Sequence, residues 1–323
     1  MKHMRHWLLM IAVLSCSLVA KAHDFEVDGI YYNIISSTDL TVAVTFKGDS
    51  YSSFANEYSG EVVIPETVTY NGMTYRVTSI SSYAFYGCSS LSQMSIGKNV
   101  SSIGNDAFYG CKALSSVVIP VGVKSISTET FYGCSGLTSV VIPPSVTSIG
   151  TYAFYGCSSL TSFSVPKSIS SIGTYAFSNC SKLKTLVLED GGGILSLDYN
   201  SSSGNQSMPF YSCPLDSVYL GRNLSYSSTS TSVRPFRGKT SLRTVVIGDS
   251  VTSISSYAFY GCSSLSQISI GKNVSSIGSY AFRGCKTLSS VVIPEGVKNI
   301  YSYTFYNCSG LTSVVIPPSV TSI

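Results

Sequence analysis

Phenylalanine recurs along this chain at a fixed step. Phe85, Phe108, Phe131, Phe154 and Phe177 lie 23 residues apart, and so do Phe236, Phe259, Phe282 and Phe305. Phe210 falls between the two sets, 33 residues after the first and 26 before the second. No single helix or strand has so long a period. It marks a unit repeated along a solenoid, each copy burying its apolar residues against the next. One unit carries Leu137, Val140, Ile142, Val146, Ile149, Phe154 and Cys157. Leu137-x-x-Val140-x-Ile142 predicts a short strand with these side chains inward. Pro143 and Pro144 end it, because proline cannot donate to a ladder. Val146 and Ile149 make a second apolar run on the return path, and Ala153-Phe154 turns the corner with the ring inside.

The residue two after each phenylalanine is Gly87, Gly110, Gly133, Gly156, Asn179, Gly238, Gly261, Gly284 or Asn307. Glycine and asparagine accept positive φ most readily. This slot therefore predicts a left-handed turn closing a short helical turn at Ala-Phe-Tyr, with Ser212 marking an irregular rung. The unit Leu-x-x-Val-x-Ile-Pro-x-x-Val-x-x-Ile-Gly-x-x-Ala-Phe-x-x-Cys resembles the BspA-like, or Treponema-type, leucine-rich repeats of bacterial surface proteins. The likeness runs from about Glu61 to Ile323. It implies a leucine-rich-repeat solenoid and an adhesive role: an extracellular array that engages host proteins, glycans or other cells. The fold expected is thus a β-rich solenoid of 23-residue units with short helical turns, whereas periodicity alone implies only an extended solenoid.

A longer repeat overlies the short one. Residues 77–149 match residues 251–323 with 11 differences in 73 positions, at an offset of 174, which is seven units plus 13 residues. A block duplication accounts for this. Ten differences avoid the Leu, Val, Ile and Phe core slots; Met94/Ile268 is the exception. Many cluster beside the phenylalanine, as in Asn105/Ser279, Asp106/Tyr280 and Tyr109/Arg283, which makes that edge solvent-facing and permissive.

The ends differ from the body. Residues 1–22 read as an export signal: Lys2 and Arg5, then an apolar run from Leu8 to Ala20, then Ala20-Lys21-Ala22 with cleavage expected after Ala22. The runner-up is a lipoprotein signal with Cys16 as the lipidated residue. Residues 23–60 lack the repeat and predict a β-rich N-terminal cap. Asp28-Gly29 sits between Phe25-Glu26-Val27 and Ile30-Tyr31-Tyr32 as a hairpin signal, and Leu40 to Phe46 alternates as a third strand. Residues 61–323 form the solenoid. Its first rung is placed at Glu61 to Pro65, with a second hairpin at Asn71-Gly72. The chain stops at Ile323, midway through a unit, for which a truncated coding sequence is the favoured explanation over an end covered by a neighbour. Irregular rungs fall at about 189–235, around Asp190-Gly191-Gly192-Gly193, Ser201 to Gly204 and Tyr226 to Ser232. Both insertions are expected to emerge on one side, as tolerated loops or as a ligand-binding protrusion.

Residue chemistry narrows the function. The net charge of +4 falls to +1 once Lys2, Arg5 and Lys21 leave with the leader, so no charge pattern points to nucleic acid. No stretch of the mature chain has the length and apolarity of a membrane span. The three histidines are His3, His6 and His23. Only His23 would survive cleavage, which leaves no Ser-His-Asp or Cys-His arrangement and no multi-histidine metal site in the repeats. No catalytic, cofactor or metal residues are assigned. The only tryptophan, Trp7, also lies in the leader. Nine cysteines follow a phenylalanine by three, from Cys88 to Cys308, and Lys239 breaks the series. Side chains stacked about 4.8 Å apart sit beyond ordinary disulfide geometry. They predict a column of reduced thiols packed as small hydrophobes.

Tyrosine supplies the candidate contacts. Tyr86, Tyr109, Tyr132, Tyr155, Tyr260 and Tyr306 follow the anchor phenylalanine, and Tyr175, Tyr280 and Tyr303 precede it by two. Stacking from rung to rung is one reading, and an aromatic stripe for protein or glycan is the other. The strand face, with Ser115, Ser116, Thr138, Ser139, Thr161 and Ser162 outward, reads as flat, uncharged and hydroxyl-rich. A monomeric, exported or cell-surface, adhesin-like binding protein is the expectation. A structural surface-layer or spacer protein without a specific ligand is the alternative.

Overall fold

The computed structural model describes residues 23–48, 50–52, 56–226 and 233–323. Residues 1–22, expected as an export signal, and residues 227–232 of the second insertion lie outside them. Most repeats contribute two short strands, which pair in parallel with their counterparts one rung on in runs of two to five strands. Along the first strand, Ser116, Val117 and Val118 lie beside Ser139, Val140 and Val141, and further on Phe163, Leu186, Val218, Val245 and Ile268 line up in turn. Along the return path, Ile126, Ile149 and Ile172 line up with Leu197 and Tyr226. The core lies between these two ladders and the phenylalanine turn. Leu137, Val146, Ala153, Phe154 and Cys157 are fully buried. The anchor rings stack face to face from Phe85 to Phe210 at 5.1–5.3 Å and again from Phe236 to Phe305 at 5.6–5.7 Å.

The turn beside the phenylalanine is not helical. Among the described residues the one helical segment is a 3-10 turn at Gly204–Ser207. Around Phe85 the chain instead makes consecutive β-turns: Tyr86 N–H donates to Tyr83 O at 3.0 Å and Cys88 N–H to Phe85 O at 3.2 Å. The N–H groups of Tyr83, Phe85 and Gly87 point out of the rung, to Asn105 O, Ala107 O and Tyr109 O of the next, at 2.7–3.0 Å. Donors committed to the neighbouring rung cannot build a helix. The turn edge is therefore a third hydrogen-bonded face, alongside the two strand ladders.

The glycine slot adopts the expected left-handed backbone, with Gly156 at φ 71° and Asn179 and Asn307 at 60° and 59°. A second left-handed slot was not foreseen, two residues before the phenylalanine. Tyr83, Asp106, Glu129, Tyr152, Tyr175, Tyr257, Tyr280 and Tyr303 hold φ between 55° and 63°. Such a backbone costs a residue with a Cβ about 1–2 kcal/mol. A Cβ on Gly156 would meet Gly133 Cα at 3.7 Å, an ordinary contact, so a substitution there meets conformational cost rather than a clash. Gly156→Ala is expected to destabilise by about 1 kcal/mol, and Gly156→Asn by less than half of that, in urea unfolding. Equal losses for the two variants would contradict this account.

At the N-terminal end, β1 (Phe25–Val27), β2 (Ile30–Ser36) and β3 (Thr41–Thr45) form an antiparallel meander. Asp28 and Gly29 make the first turn with φ 51° and 76°. β4 (Gly60–Ile64) is the first rung of the strand ladder. After it, β5 (Thr67–Tyr70) and β6 (Met73–Ile80) form the hairpin expected at Asn71-Gly72. β6 pairs in parallel with β3, and then with β8 (Ser102–Ile103) of the return ladder. The cap thus shares a strand with the repeats and continues their stacking. Its sheet curls until its edge strands meet, where the Phe25 and Tyr70 rings stack at 4.2 Å. β4 itself pairs with β7 (Leu91–Ile96).

The irregular middle is more ordered than a tolerated loop. Leu195–Leu197 forms a return-path rung between Ser171–Ile172 and Leu224–Tyr226. Leu195, Leu197 and Met208 are fully buried. The insertion before Phe210 therefore supplies its own core residues.

Candidate functional site

Two surfaces run the length of the solenoid. The first is the outer face of the strand ladder. In a strand, alternate residues face opposite sides. Val117 and Ile119 point inward and are buried, so Val118 between them must face out. The register aligns such positions into one column: Val63 beside Ser95, Val118 beside Val141, then Ser164, Val187, Tyr219, Val246 and Ser269, then Val292 beside Val315. Val63, Val118, Val141, Val292 and Val315 are 54–63% exposed. The face is thus not uniformly hydroxyl-rich, because an aliphatic stripe runs along it. The sequence carried the signal in Val-Val-Ile, where strict alternation leaves the middle valine outside.

Exposed hydroxyls flank the stripe, and many are engaged within the ladder. Ser115 Oγ donates to Ser92 O at 3.3 Å, Thr138 Oγ1 to Ser115 O at 3.0 Å and Thr312 Oγ1 to Ser289 O at 3.2 Å. These bonds reinforce rung-to-rung pairing and leave fewer donors for a ligand.

The second surface is the turn edge with its tyrosines. Tyr86, Tyr109, Tyr132 and Tyr155 form one column, ring on ring at 4.6–4.7 Å. Tyr152 stacks on Tyr175 at 4.8 Å, and Tyr257, Tyr280 and Tyr303 stack at 4.7 and 4.9 Å. Beyond the irregular middle the first column changes chemistry. The Arg237 guanidinium lies 4.8 Å from the Tyr260 ring, and Arg283 lies 5.5 Å from Tyr260 and 4.9 Å from Tyr306. Guanidinium planes replace alternate phenols there, a cation–π ladder in place of a π–π one. An inner ring of either column has a neighbour on each face, so it offers a ligand only its edge and its hydroxyl. Partial burial, and then the adjacent phenols Tyr109 and Tyr155, push the Tyr132 hydroxyl up to about 12. It remains a protonated donor across the physiological range.

The thiols from Cys88 to Cys285 are buried, as expected, and Cys308 is half-buried, but the column is more than packing. The Sγ of Cys111, Cys134, Cys157, Cys180, Cys213, Cys262, Cys285 and Cys308 each donates to the anchor-phenylalanine carbonyl of the preceding rung, at 3.1–3.4 Å. Lys239 takes that slot in the irregular middle, and its ammonium donates to Phe210 O at 2.6 Å, Cys213 O at 2.9 Å and Tyr211 O. Burial pushes this ammonium down to about 8, so at neutral pH it keeps its charge and all three donors. Nearby, the buried Arg222 guanidinium donates to the carbonyls of Val165, Pro166, Lys167 and Ile169 at 2.6–3.2 Å. Lys239 accounts for the break in the cysteine series: one ammonium there serves three main-chain carbonyls, where a thiol elsewhere serves one. Lys239→Met is expected to cost about 2 kcal/mol, because buried carbonyls lose their donor. A change under about 0.5 kcal/mol in chemical denaturation would refute that role.

Among the described residues no group of three or more His, Cys, Asp and Glu side chains could hold a metal ion, and no helix is long and apolar enough to cross a membrane. The profile of the family described as BspA type Leucine rich repeat region matches in six copies, over residues 78–205 and 229–323. The chain belongs to the BspA-type leucine-rich repeat family. The BspA-type match begins after the first rung at Gly60–Ile64 and breaks between 205 and 229, within the irregular rungs. No curated protein matches this BspA-type chain. It is similar to solved bacterial structures. A leucine-rich repeat protein from Bacteroides ovatus is 26% identical, with 93% of this chain and 90% of that one covered and a TM-score of 0.45. A leucine rich cell surface protein from Faecalibacterium prausnitzii is 24% identical, with 93% and 90% covered and a TM-score of 0.35. The leucine-rich repeat protein of T. pallidum is 22% identical, with 82% and 90% covered and a TM-score of 0.36.

Proposed function

We propose that this BspA-type chain is an exported or cell-surface, non-catalytic binding protein, and that its ligand is a protein held along the outer face of the strand ladder. The observation that carries the reading is the valine column. Exposed aliphatic side chains on a flat sheet, with no element packed over them, suit a protein partner. Glycan recognition would draw on free hydroxyls and open ring faces, and here part of the hydroxyl set, Ser115 and Thr138 included, is turned onto the ladder while the inner rings cover one another. The tyrosine edge is proposed as a secondary contact, acting through the hydroxyls of Tyr86, Tyr109, Tyr132, Tyr155, Tyr175, Tyr260, Tyr280, Tyr303 and Tyr306. Export rests on the N-terminal signal read from the sequence.

The test is a surface-binding screen of the full chain against purified extracellular matrix proteins and immobilised glycans. The paired substitution Val118→Ser and Val141→Ser is expected to weaken a protein ligand by about tenfold or more, while leaving the unfolding midpoint nearly unchanged, because serine already holds this slot at Ser164 and Ser269. Saturable binding that ignores these substitutions would move the site elsewhere. Self-assembly with no saturable ligand would favour a surface-layer or spacer role.

A further inference from the structure

The N-terminal end of the solenoid carries a feature that the repeat face does not use. β4 pairs with β7 on one side, and among the described residues no strand lies on its other side. An open groove of about 750 Å³ borders that strand. It is lined by both Val62, which points inward, and Val63, which points outward. Residues on opposite faces of one strand share a groove only where the groove reaches the strand's edge. The opposite walls come from the β1–β2 turn and from β5, with Val68 at the base. The bordering edge strand presents backbone donors and acceptors to the groove, the arrangement that accepts an added strand.

The charge of the lining is one-sided. Asp28, Glu57 and Glu61 line the groove, with no lysine, arginine or histidine among its lining residues. Asp28 and Glu61 are exposed, and Glu57 is half-buried with one carboxylate oxygen accepting from Lys47 N–H at 2.7 Å. The Lys47 ammonium lies 5.8 Å from the Tyr31 ring centroid. We infer that the groove takes an extended, basic peptide segment of a partner protein, added as a strand to the free edge of β4, with its cationic side chains toward Asp28 and Glu61 and its apolar ones, which alternate with them, on the opposite face beside Val62. Backbone pairing would supply affinity and the carboxylates would supply the preference for positive charge. Five residues of β4, each rising about 3.3 Å, give the strand a footprint of about 16 Å.

The probe is an acetylated eight-residue peptide alternating lysine and valine, titrated into the full chain by fluorescence anisotropy. One peptide is expected to bind per chain, slowing amide exchange at Glu61–Ile64. Alternating glutamate and valine is expected to bind at least about tenfold more weakly, and Glu61→Lys with Asp28→Lys to weaken the lysine peptide by a similar factor. N-methylation of alternate peptide amides should abolish binding, because it removes the strand donors. The valine-column variants should bind the peptide as the parent does, which separates this site from the repeat face. Equal affinity for the two peptides, full binding of the methylated one, or sedimentation showing the edge occupied by a second copy of the chain would each overturn the inference.

Discussion

Phe131→Ala is expected to lower the stability of the folded chain by about 3–5 kcal/mol, as measured by urea unfolding at neutral pH. The ring is fully buried and is stacked at 5.3 Å on both Phe108 and Phe154. Its neighbours cannot collapse into the space, because hydrogen bonds on three faces hold adjacent rungs in register. Phe131 N–H itself donates to Ala153 O at 2.8 Å. The loss combines the transfer of the ring to water with the cavity it leaves. Phe305→Ala provides the control. That ring is half-buried and stacks on Phe282 at 5.6 Å near the end of the ladder, so its loss should be under half as large. Similar losses at the two positions would show that anchor rings contribute through local turn geometry rather than through the stack. In a solenoid each rung contacts only its neighbours, so Phe131→Ala is also expected to broaden the transition as the halves uncouple.

Raising the pH above 9 is expected to remove several kcal/mol more. Burial pushes the Cys88 thiol up to about 11, and Cys213 and Cys262 up to about 12. It raises Cys111, Cys157 and Cys180 as well. An unfolded thiol ionises near the ordinary value of about 8.5–9, and each unit of separation is worth about 1.4 kcal/mol. A raised folded pKa contributes stability that is fully present below pH 9. That stability is lost as pH climbs from 9 through the folded values, because only the unfolded chain then releases its protons. Lys239 runs the other way. Its folded pKa of about 8 lies below the ordinary value of 10.5, so its burial costs stability below pH 8 and that cost fades between 8 and 10.5. One ammonium is outweighed by the thiol column. Denaturation under reducing conditions at pH 7.5, 9 and 10.5 should show little change over the first step and a steep fall over the second. Replacing Cys111, Cys157 and Cys180 with alanine should flatten the fall, and an unchanged slope would place the alkaline transition elsewhere.

How much of this was legible in the sequence depended on whether a residue's conformation is set locally. Asp28-Gly29 and Asn71-Gly72 dictate their hairpins through their own backbone preferences, and the glycine slot after each phenylalanine does the same. The apolar positions from Leu137 to Phe154 announce their burial by type and spacing. The second left-handed slot was hidden, because nothing intrinsic to Tyr83, Asp106 or Glu129 favours it. Contacts one rung away hold them there, through the bonds from Tyr83 N–H to Asn105 O and from Asp106 N–H to Thr128 O, each 3.0 Å. The same non-local pairing turned an expected helical turn into β-turns. Lys239 stood out only as a break in a series, since the carbonyls it serves come from a rung whose extra length has no template in the repeat. In the candidate site, the tyrosine columns could be read from spacing, and so could the outward valines, had alternation been followed through Val-Val-Ile. The groove beside β4 could not, because residues from four separate segments meet there.

The uniform register of the rungs bears on how such a chain can change over generations. Each regular interface repeats the same kinds of bond: strand to strand, thiol to phenylalanine carbonyl, turn N–H to turn carbonyl. A rung in the body therefore cannot distinguish one neighbour from another. Recombination that inserts or deletes whole 23-residue units leaves every interface of the same kind, while an insertion out of step needs its own buried residues, as Leu195, Leu197 and Met208 show. The near-identical blocks 77–149 and 251–323 are such an event preserved. Reach can lengthen in increments of about 5 Å per unit with the surface chemistry simply copied. Substitutions beside the anchor phenylalanine, such as Tyr109 against Arg283, then let one copy drift while the other keeps the ancestral contact.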